Sequence, residues 1–250
     1  MRQVPMKQRS KGQKRDPHHI KPKFLEERQE SLKVNPLKPL NAKQAEYMQL
    51  IKTKPVVVAT GYPGTSKTYL PVAMAADAFK IGTINKIILT RPAISSSKSV
   101  GYTTGDSTTK MMMWLGGAIP VFKERLGEAM FEIALEKGDI EFVPLEVVKG
   151  MSVNDAFMLC EESSDLTKDE VIKLVTRMGR NSTLVLAGDI RQSELRGDGG
   201  LAWLQNFINR HQMQEYFGSV DFNEVNDIVR SEAVKRFITG ILRDEKKGIN

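Results

Sequence analysis

A chain of 250 residues with a formal net charge of +7 and one cysteine has room for one large domain or two small ones, with a substantial core. An intrachain disulfide is excluded, and no apolar run approaches the roughly 18 residues of a membrane-spanning helix. The basic N-terminus lacks the apolar segment of a secretory signal, so a cytoplasmic protein with no membrane partner is expected.

The charge is unevenly placed. Residues 1–23 carry eight Lys and Arg against Asp16 alone, so the whole surplus of +7 lies there and residues 24–250 balance to zero. With few hydrophobes and two histidines, residues 1–35 read as a disordered basic tail and linker, ahead of a domain over 36–250. The tail suits nucleic acid by counterion release, or it is simply a solvated, solubilising arm.

In chain order, Asn41-Ala-Lys-Gln44 resembles an N-cap with Gln at the third helical position, opening a helix of about 11 residues. Gln44 is a candidate for reading adenine, beside its ordinary role in a capping box. Pro55–Ala59 is a short apolar strand. Gly61-Tyr62-Pro63-Gly64-Thr65-Ser66-Lys67-Thr68 follows, and then an apolar helix from Lys67-Thr68 and Tyr69 to Phe79. Strand, phosphate-sized turn and helix are the context of a P-loop, whose backbone N–H groups and helix N-terminus receive phosphates. Lys67 would reach the β- and γ-phosphates and Thr68 would ligate Mg²⁺. Ser66 stands where glycine is usual, adding a Cβ beside the phosphate. Without a ligand, the same stretch is a Gly/Pro-rich turn. Pro71 removes one helical N–H and predicts a slight kink.

Lys86–Thr90 reads as a buried strand ending at Arg91, and residues 93–110 as a long polar loop, functional or disordered. Met111–Glu136 is helical, with interruptions at Gly116-Gly117 and Pro120. Ile140–Leu145 is a strand candidate. Ala156–Cys160 is an apolar strand ending in Glu161-Glu162. Thr167-Lys-Asp-Glu170 is a capping box for a helix to about Gly179. Thr183–Ala187 is a strand ending in Gly188-Asp189, with Gln192 close behind. Gly197–Gly200 is a turn, Leu201–His211 a helix, Val220–Val225 a last strand with Arg230 after it, and Glu232–Lys246 an amphipathic helix.

Alternating strands and helices predict an α/β fold, a mostly parallel sheet with helices on both faces. The carboxyl ends of its strands then share one edge, gathering the phosphate loop, Arg91, the acidic pair, Asp189 and Gln192. An apolar strand ending in two acids is the second element of a nucleotide hydrolase, one carboxylate for Mg²⁺ and one for the attacking water. We assign Glu161 to the metal and Glu162 to the water. Asp189 and Gln192 are candidates to sense the γ-phosphate or position water. Arg230 is a candidate to stabilise the transferred phosphoryl group, in its own chain or a neighbour's. Each has a plainer reading as a solvated pair, a turn or a surface arginine.

These residues resemble the motifs of the PhoH-like ATPase family from about Pro39 to Leu242. The family's G-P-A-G-T-G-K-T loop is similar to Gly61–Thr68, with Ser66 for glycine. Its T-R-P motif stands as Thr90-Arg91-Pro92. Its D-E-A-Q-N motif is matched by Glu161-Glu162-Ser163-Ser164-Asp165, where only Glu162 keeps its identity among the first acid, second acid and Gln. L-T-R-x-G, G-D-x-x-Q and D-[IV]-V-R are matched by Leu174–Gly179, Gly188–Gln192 and Asp227–Arg230. The resemblance implies a RecA-like P-loop NTPase core related to one superfamily of helicases, binding ATP and Mg²⁺ and forming ring oligomers, hexamers above all. It also implies work on single-stranded nucleic acid, RNA ahead of DNA. The chain has no room for a fused nuclease or a second motor domain, so a lone core is expected to need a neighbour to move against. The relaxed motifs suit a bacteriophage member, acting in the host cytoplasm. The rival expectation is a non-hydrolysing nucleotide-binding assembly module that holds nucleic acid through its basic tail. Tyr102 and Trp114 are candidates for base stacking, against ordinary packing roles.

Overall fold

The computed structural model describes residues 35–92, 107–190 and 199–247. The described strands and helices belong to the unit that begins at Pro36. The basic tail, the loop after Pro92 with Tyr102, and Gln192 lie outside the described residues.

Six strands form one sheet: β1 (Val56–Gly61), β2 (Lys86–Thr90), β3 (Ile140–Phe142), β4 (Ala156–Cys160), β5 (Thr183–Gly188) and β6 (Phe217–Phe222). Their order is β3-β2-β4-β5-β1-β6, and every pairing is parallel. The chain has the expected α/β, RecA-like P-loop fold. Alternate residues of the strands feed two separate cores. Val57, Ala59, Ile87, Leu89, Phe157, Leu159, Val185 and Ala187 pack to one side. Val56, Val58, Ile88, Met158, Leu184 and Leu186 pack to the other. Burial on both sides makes the central strands near-continuous apolar runs.

The helices are α1 (Ala42–Thr53), α2 (Tyr69–Lys80), α3 (Ser107–Trp114), α4 (Ile119–Leu126), α5 (Glu128–Glu136), the single turn α6 (Leu145–Val148), α7 (Lys168–Val175), α8 (Gly200–Arg210) and α9 (Glu232–Lys247). The first core lies under α1 to α5 and the second under α6, α7 and α8. Asn41 caps α1, its side chain accepting from the Gln44 N–H at 2.8 Å. Thr167 and Glu170 close a full capping box on α7.

Several boundaries differ from expectation. Pro120 starts α4 instead of interrupting a helix, because its fixed φ suits the first turn, where an N–H is not needed. The breaks fall at the 3-10 turn Gly116–Ala118 and at Gly127, whose φ of 83° lies outside helical space. α7 stops at Val175, since the segment that follows it bonds to Val153 instead: the Val153 N–H donates to the Arg177 carbonyl at 3.0 Å and the Val153 carbonyl accepts from the Gly179 N–H at 2.7 Å. The strand expected from Ile140 turns helical at Leu145, just after Pro144. The last strand lies earlier than Val220–Val225, because Val225–Asp227 is a 3-10 turn.

α9 is amphipathic, as its spacing suggests, but part of its apolar stripe faces solvent: Val234 is 40%, Phe237 70% and Ile241 43% exposed. Among the described residues no helix is long and apolar enough to cross a membrane.

Candidate nucleotide site

The carboxyl ends of β1, β4 and β5 meet at a cavity of about 540 Å³. β5 lies between the other two, with Thr60 beside Gly188 and Leu186 beside Cys160. The strand order thus sets the Gly61–Thr68 loop across from Glu161 and Glu162, with Gly188-Asp189 between them. Pro63, Gly64, Thr65, Ser66, Lys67, Thr68, Tyr69, Glu161, Glu162, Asp189 and Arg230 all line this space.

The loop is built around three positive φ angles. Gly61 has φ 117° and Gly64 φ 76°. A Cβ on Gly61 would lie 2.2 Å from the Phe222 carbonyl oxygen, and that same carbonyl accepts from the Tyr62 N–H at 2.8 Å. Only glycine lets the loop leave β1 so close to β6. Ser66, with φ 71°, takes the left-handed conformation that explains why glycine is usual there. For a serine it costs about 1 kcal/mol. Lys67 Nζ donates to the carbonyls of Gly61 at 2.7 Å and Tyr62 at 2.6 Å, which holds the ammonium over the loop.

α1 braces the loop from below. Gln44 is 1% exposed and does not line the cavity. Its side-chain oxygen accepts from the Leu40 N–H at 2.8 Å, and its amide donates to the Thr65 carbonyl at 3.4 Å. The residue expected to read a base therefore supports the loop in this geometry, its amide held by backbone partners on both sides. One turn on, the Tyr47 hydroxyl donates to the Lys67 carbonyl at 2.9 Å. That carbonyl would ordinarily accept from the residue four positions later, which is Pro71 and has no N–H. Neighbouring bonds from Leu70 to Ser66 and from Val72 to Thr68 are in place. Tyr47 thus replaces the bond that Pro71 cannot make, and it is fully buried edge-on against Phe222. Burial, with Glu161 nearby, raises its pKa well above the ordinary tyrosine value, so it stays a donor.

The acidic side is less comfortable. Burial raises the pKa of Glu161, and the neighbouring Glu162 charge raises it further, against the Thr68 hydroxyl and Arg91. Thr68 and Glu161, the two residues expected to hold Mg²⁺, therefore stand close to one another across the cavity. Glu162 sits in the left-handed region with φ 50°. Such strain in a non-glycine residue gathers at functional sites. Behind it, Gly188 lets β5 approach so closely that a Cβ would lie 2.5 Å from the Ser164 N. Asp189 is buried, at 7% exposure. Thr90 Oγ1 and Arg91 Nε are buried with no hydrogen-bond partner among the described residues. The Arg91 guanidinium lies 5.9 Å over the Trp114 ring, so Trp114 has a packing role within the domain.

No cluster of three or more His, Cys, Asp or Glu among the described residues could cage a metal. Two oxygen donors beside a phosphate loop fit Mg²⁺ instead, a hard ion that keeps waters and shares substrate phosphates. Cys160 is buried, with its thiol pushed up to about 12 mainly by burial.

Arg230 reaches the cavity from the far end of the chain. Its Val229 N–H donates to the Gly64 carbonyl at 2.9 Å, and both residues line the cavity. Sequence reasoning missed Tyr47, Val229, and the wall formed by Gly117 and Val121. Only Tyr47 left a signal, standing one helical turn after Gln44 on the same face.

Residues 36–241 match the family described as PhoH-like protein. The chain is 36% identical over 152 residues to a PhoH-like protein of Bacillus subtilis, covering 61% of this chain and 48% of that one. It is 29% identical over 209 residues to Protein PhoH of Escherichia coli K12, covering 83% and 58%. A PhoH-like protein of Synechocystis is 28% identical over 207 residues, covering 81% and 61%. The matches span about half to three-fifths of the length of these relatives.

Proposed function

The chain belongs to the PhoH-like protein family, a family of the P-loop ATPase type, and from that premise we propose that it is a Mg²⁺-dependent ATP hydrolase acting on single-stranded nucleic acid. The observation that carries this reading is the meeting of Lys67, Thr68, Glu161, Glu162, Asp189 and Arg230 around one cavity. Three carboxylates stand there against two cationic side chains. That balance suits a polyphosphate that arrives with a divalent cation.

In this reading the loop amides and Lys67 bind the β- and γ-phosphates. Thr68 and Glu161 hold the Mg²⁺, which when bound neutralises the phosphate charge. Glu162 takes the proton of a water whose oxygen attacks the γ-phosphorus. The bond from that phosphorus to the β-bridging oxygen breaks, and ADP and phosphate leave. Asp189 and Gln192 position the water, and Arg230 meets the charge on the transferred group. RNA is the favoured polymer, a homo-oligomer of hexameric form the favoured assembly, and residues 36–250 the working domain behind a basic tail. The exposed Phe237 stripe on α9 supports an assembly with copies of itself.

The test is ATP turnover with Mg²⁺, with and without single-stranded RNA or DNA, beside Lys67→Ala. Stimulation by one polymer, lost in the variant, is the expected result. The left-handed Ser66 and the altered acidic motif favour a second reading, a nucleotide-gated assembly module that does not hydrolyse. Under that reading Glu162→Gln changes nothing measurable, whereas under the first it lowers turnover by about 10²–10⁴.

A further inference from the structure

We propose that Arg230 serves the nucleotide bound to its own chain, positioned there by Asp227, so that the phosphate grip is complete within one subunit. This rests on the nucleotide reading above and decides what that reading left open, namely which subunit supplies the arginine.

Four observations lead to it. The Arg230 stem lies on the loop itself: a Cβ built on Gly64 would fall 2.7 Å from its Cγ and 3.3 Å from its Nε. The preceding N–H is bonded to the Gly64 carbonyl, so backbone and side chain both hold the same loop residue. The turn leading to it is rigid. Asp227 is 4% exposed and Ile228 fully buried. The Asp227 carboxylate accepts from the Glu224 N–H at 3.0 Å, and its carbonyl accepts from Asn41 Nδ2 at 3.5 Å. Finally, Arg230 is exposed where it lines the cavity, so the residue is open to a ligand while its stem lies on the loop. An arginine built to cross to a neighbouring site would not have its stem committed to its own phosphate loop. The packing also gives Gly64 a second duty. It must have no side chain so that Arg230 can lie where a methyl would stand.

The experiment measures Mg²⁺-dependent binding of a fluorescent ATP analogue over a series of protein concentrations, for wild type, Lys67→Ala, Arg230→Ala, Asp227→Asn and the Arg230→Ala/Asp227→Asn pair. Arg230→Ala is expected to weaken binding by at least about tenfold, the worth of a charge-assisted hydrogen bond, by the same factor at every protein concentration. Asp227→Asn is expected to weaken binding in the wild-type background and to add nothing once Arg230 is gone, a coupling that general loosening of the fold would not produce. Equal mixtures of Lys67→Ala and Arg230→Ala, co-expressed and purified through two tags, are expected to bind no more tightly than Arg230→Ala alone. Recovered binding in the mixture, or an Arg230→Ala loss that appears only as protein concentration rises, would overturn the assignment in favour of a neighbour's arginine. Wild-type affinity in Arg230→Ala would overturn it outright while leaving the nucleotide reading standing. A wild type that binds no nucleotide would sink both.

Discussion

The two sides of the cavity are built on different terms. On the loop side, the carbonyls of Gly61, Tyr62, Gly64, Thr65 and Lys67 each accept from a named partner. On the acidic side, a carboxylate is buried against its ordinary preference, Glu162 is strained, and Thr90 Oγ1 and Arg91 Nε are buried without partners among the described residues. The cradle for the anion is thus preorganised by the fold, whereas the carboxylates that face it carry a cost an incoming cation would relieve. Binding and turnover should therefore answer to different residues.

The largest effects break this comparison side by side. Lys67→Ala is expected to remove nucleotide binding altogether, while Glu162→Gln binds normally and turns over about 10²–10⁴ more slowly; equilibrium binding and phosphate release separate the two. Next comes Gly61→Ala, whose methyl would run into the Phe222 carbonyl at 2.2 Å in a conformation that resists a side chain. A loss of about 3 kcal/mol should appear in chemical denaturation, with nucleotide binding falling alongside it. Tyr47→Phe should cost about 1 kcal/mol by leaving the part-buried Lys67 carbonyl without its partner, and a matched loss in nucleotide affinity would show that the bond orders the loop. Ser66→Gly runs the other way, gaining about 1 kcal/mol by removing the left-handed penalty, seen as a higher melting temperature.

The acidic side yields the subtlest test. A raised pKa means that Glu161 ionises at a cost in the folded chain. That cost is absent below the ordinary carboxylate range, where both states are protonated. Stability is then lost as pH rises from that range through the raised value. In chelator, Glu161→Gln should melt above wild type at neutral pH, with the gap closing on acidification. A gap that persists unchanged in acid would show that ionisation of this residue is not its cause.

Much of this was legible because the sheet is buried on both faces. Runs such as Val56–Val58 and Ala156–Leu159 cannot be mistaken for amphipathic segments, and in a parallel sheet their ends must share an edge. The acidic pair and the phosphate loop could therefore be brought together without coordinates. What could not be read were contacts set by geometry across the chain. Nothing near Pro71 says that its missing N–H is replaced by Tyr47, and nothing near Gly64 says that an arginine far along the chain fills the space of its side chain. Gln44 illustrates the same limit: its place at the start of α1 was legible, but its amide's commitment to Leu40 and Thr65 was not. Boundaries erred where a local signal had two outcomes. Proline at 120 was read as a breaker, although the same ring geometry suits the opening of a helix.

The bond between Asn41 and the Asp227 carbonyl ties the entrance of the domain to its exit beside the phosphate loop. The segment before α1 and the turn before α9 are therefore joined to each other, and each also holds the loop, through the Gln44–Tyr47 face and the Val229–Arg230 turn. Seen as a mechanical linkage, the site resembles a vice whose two handles sit side by side.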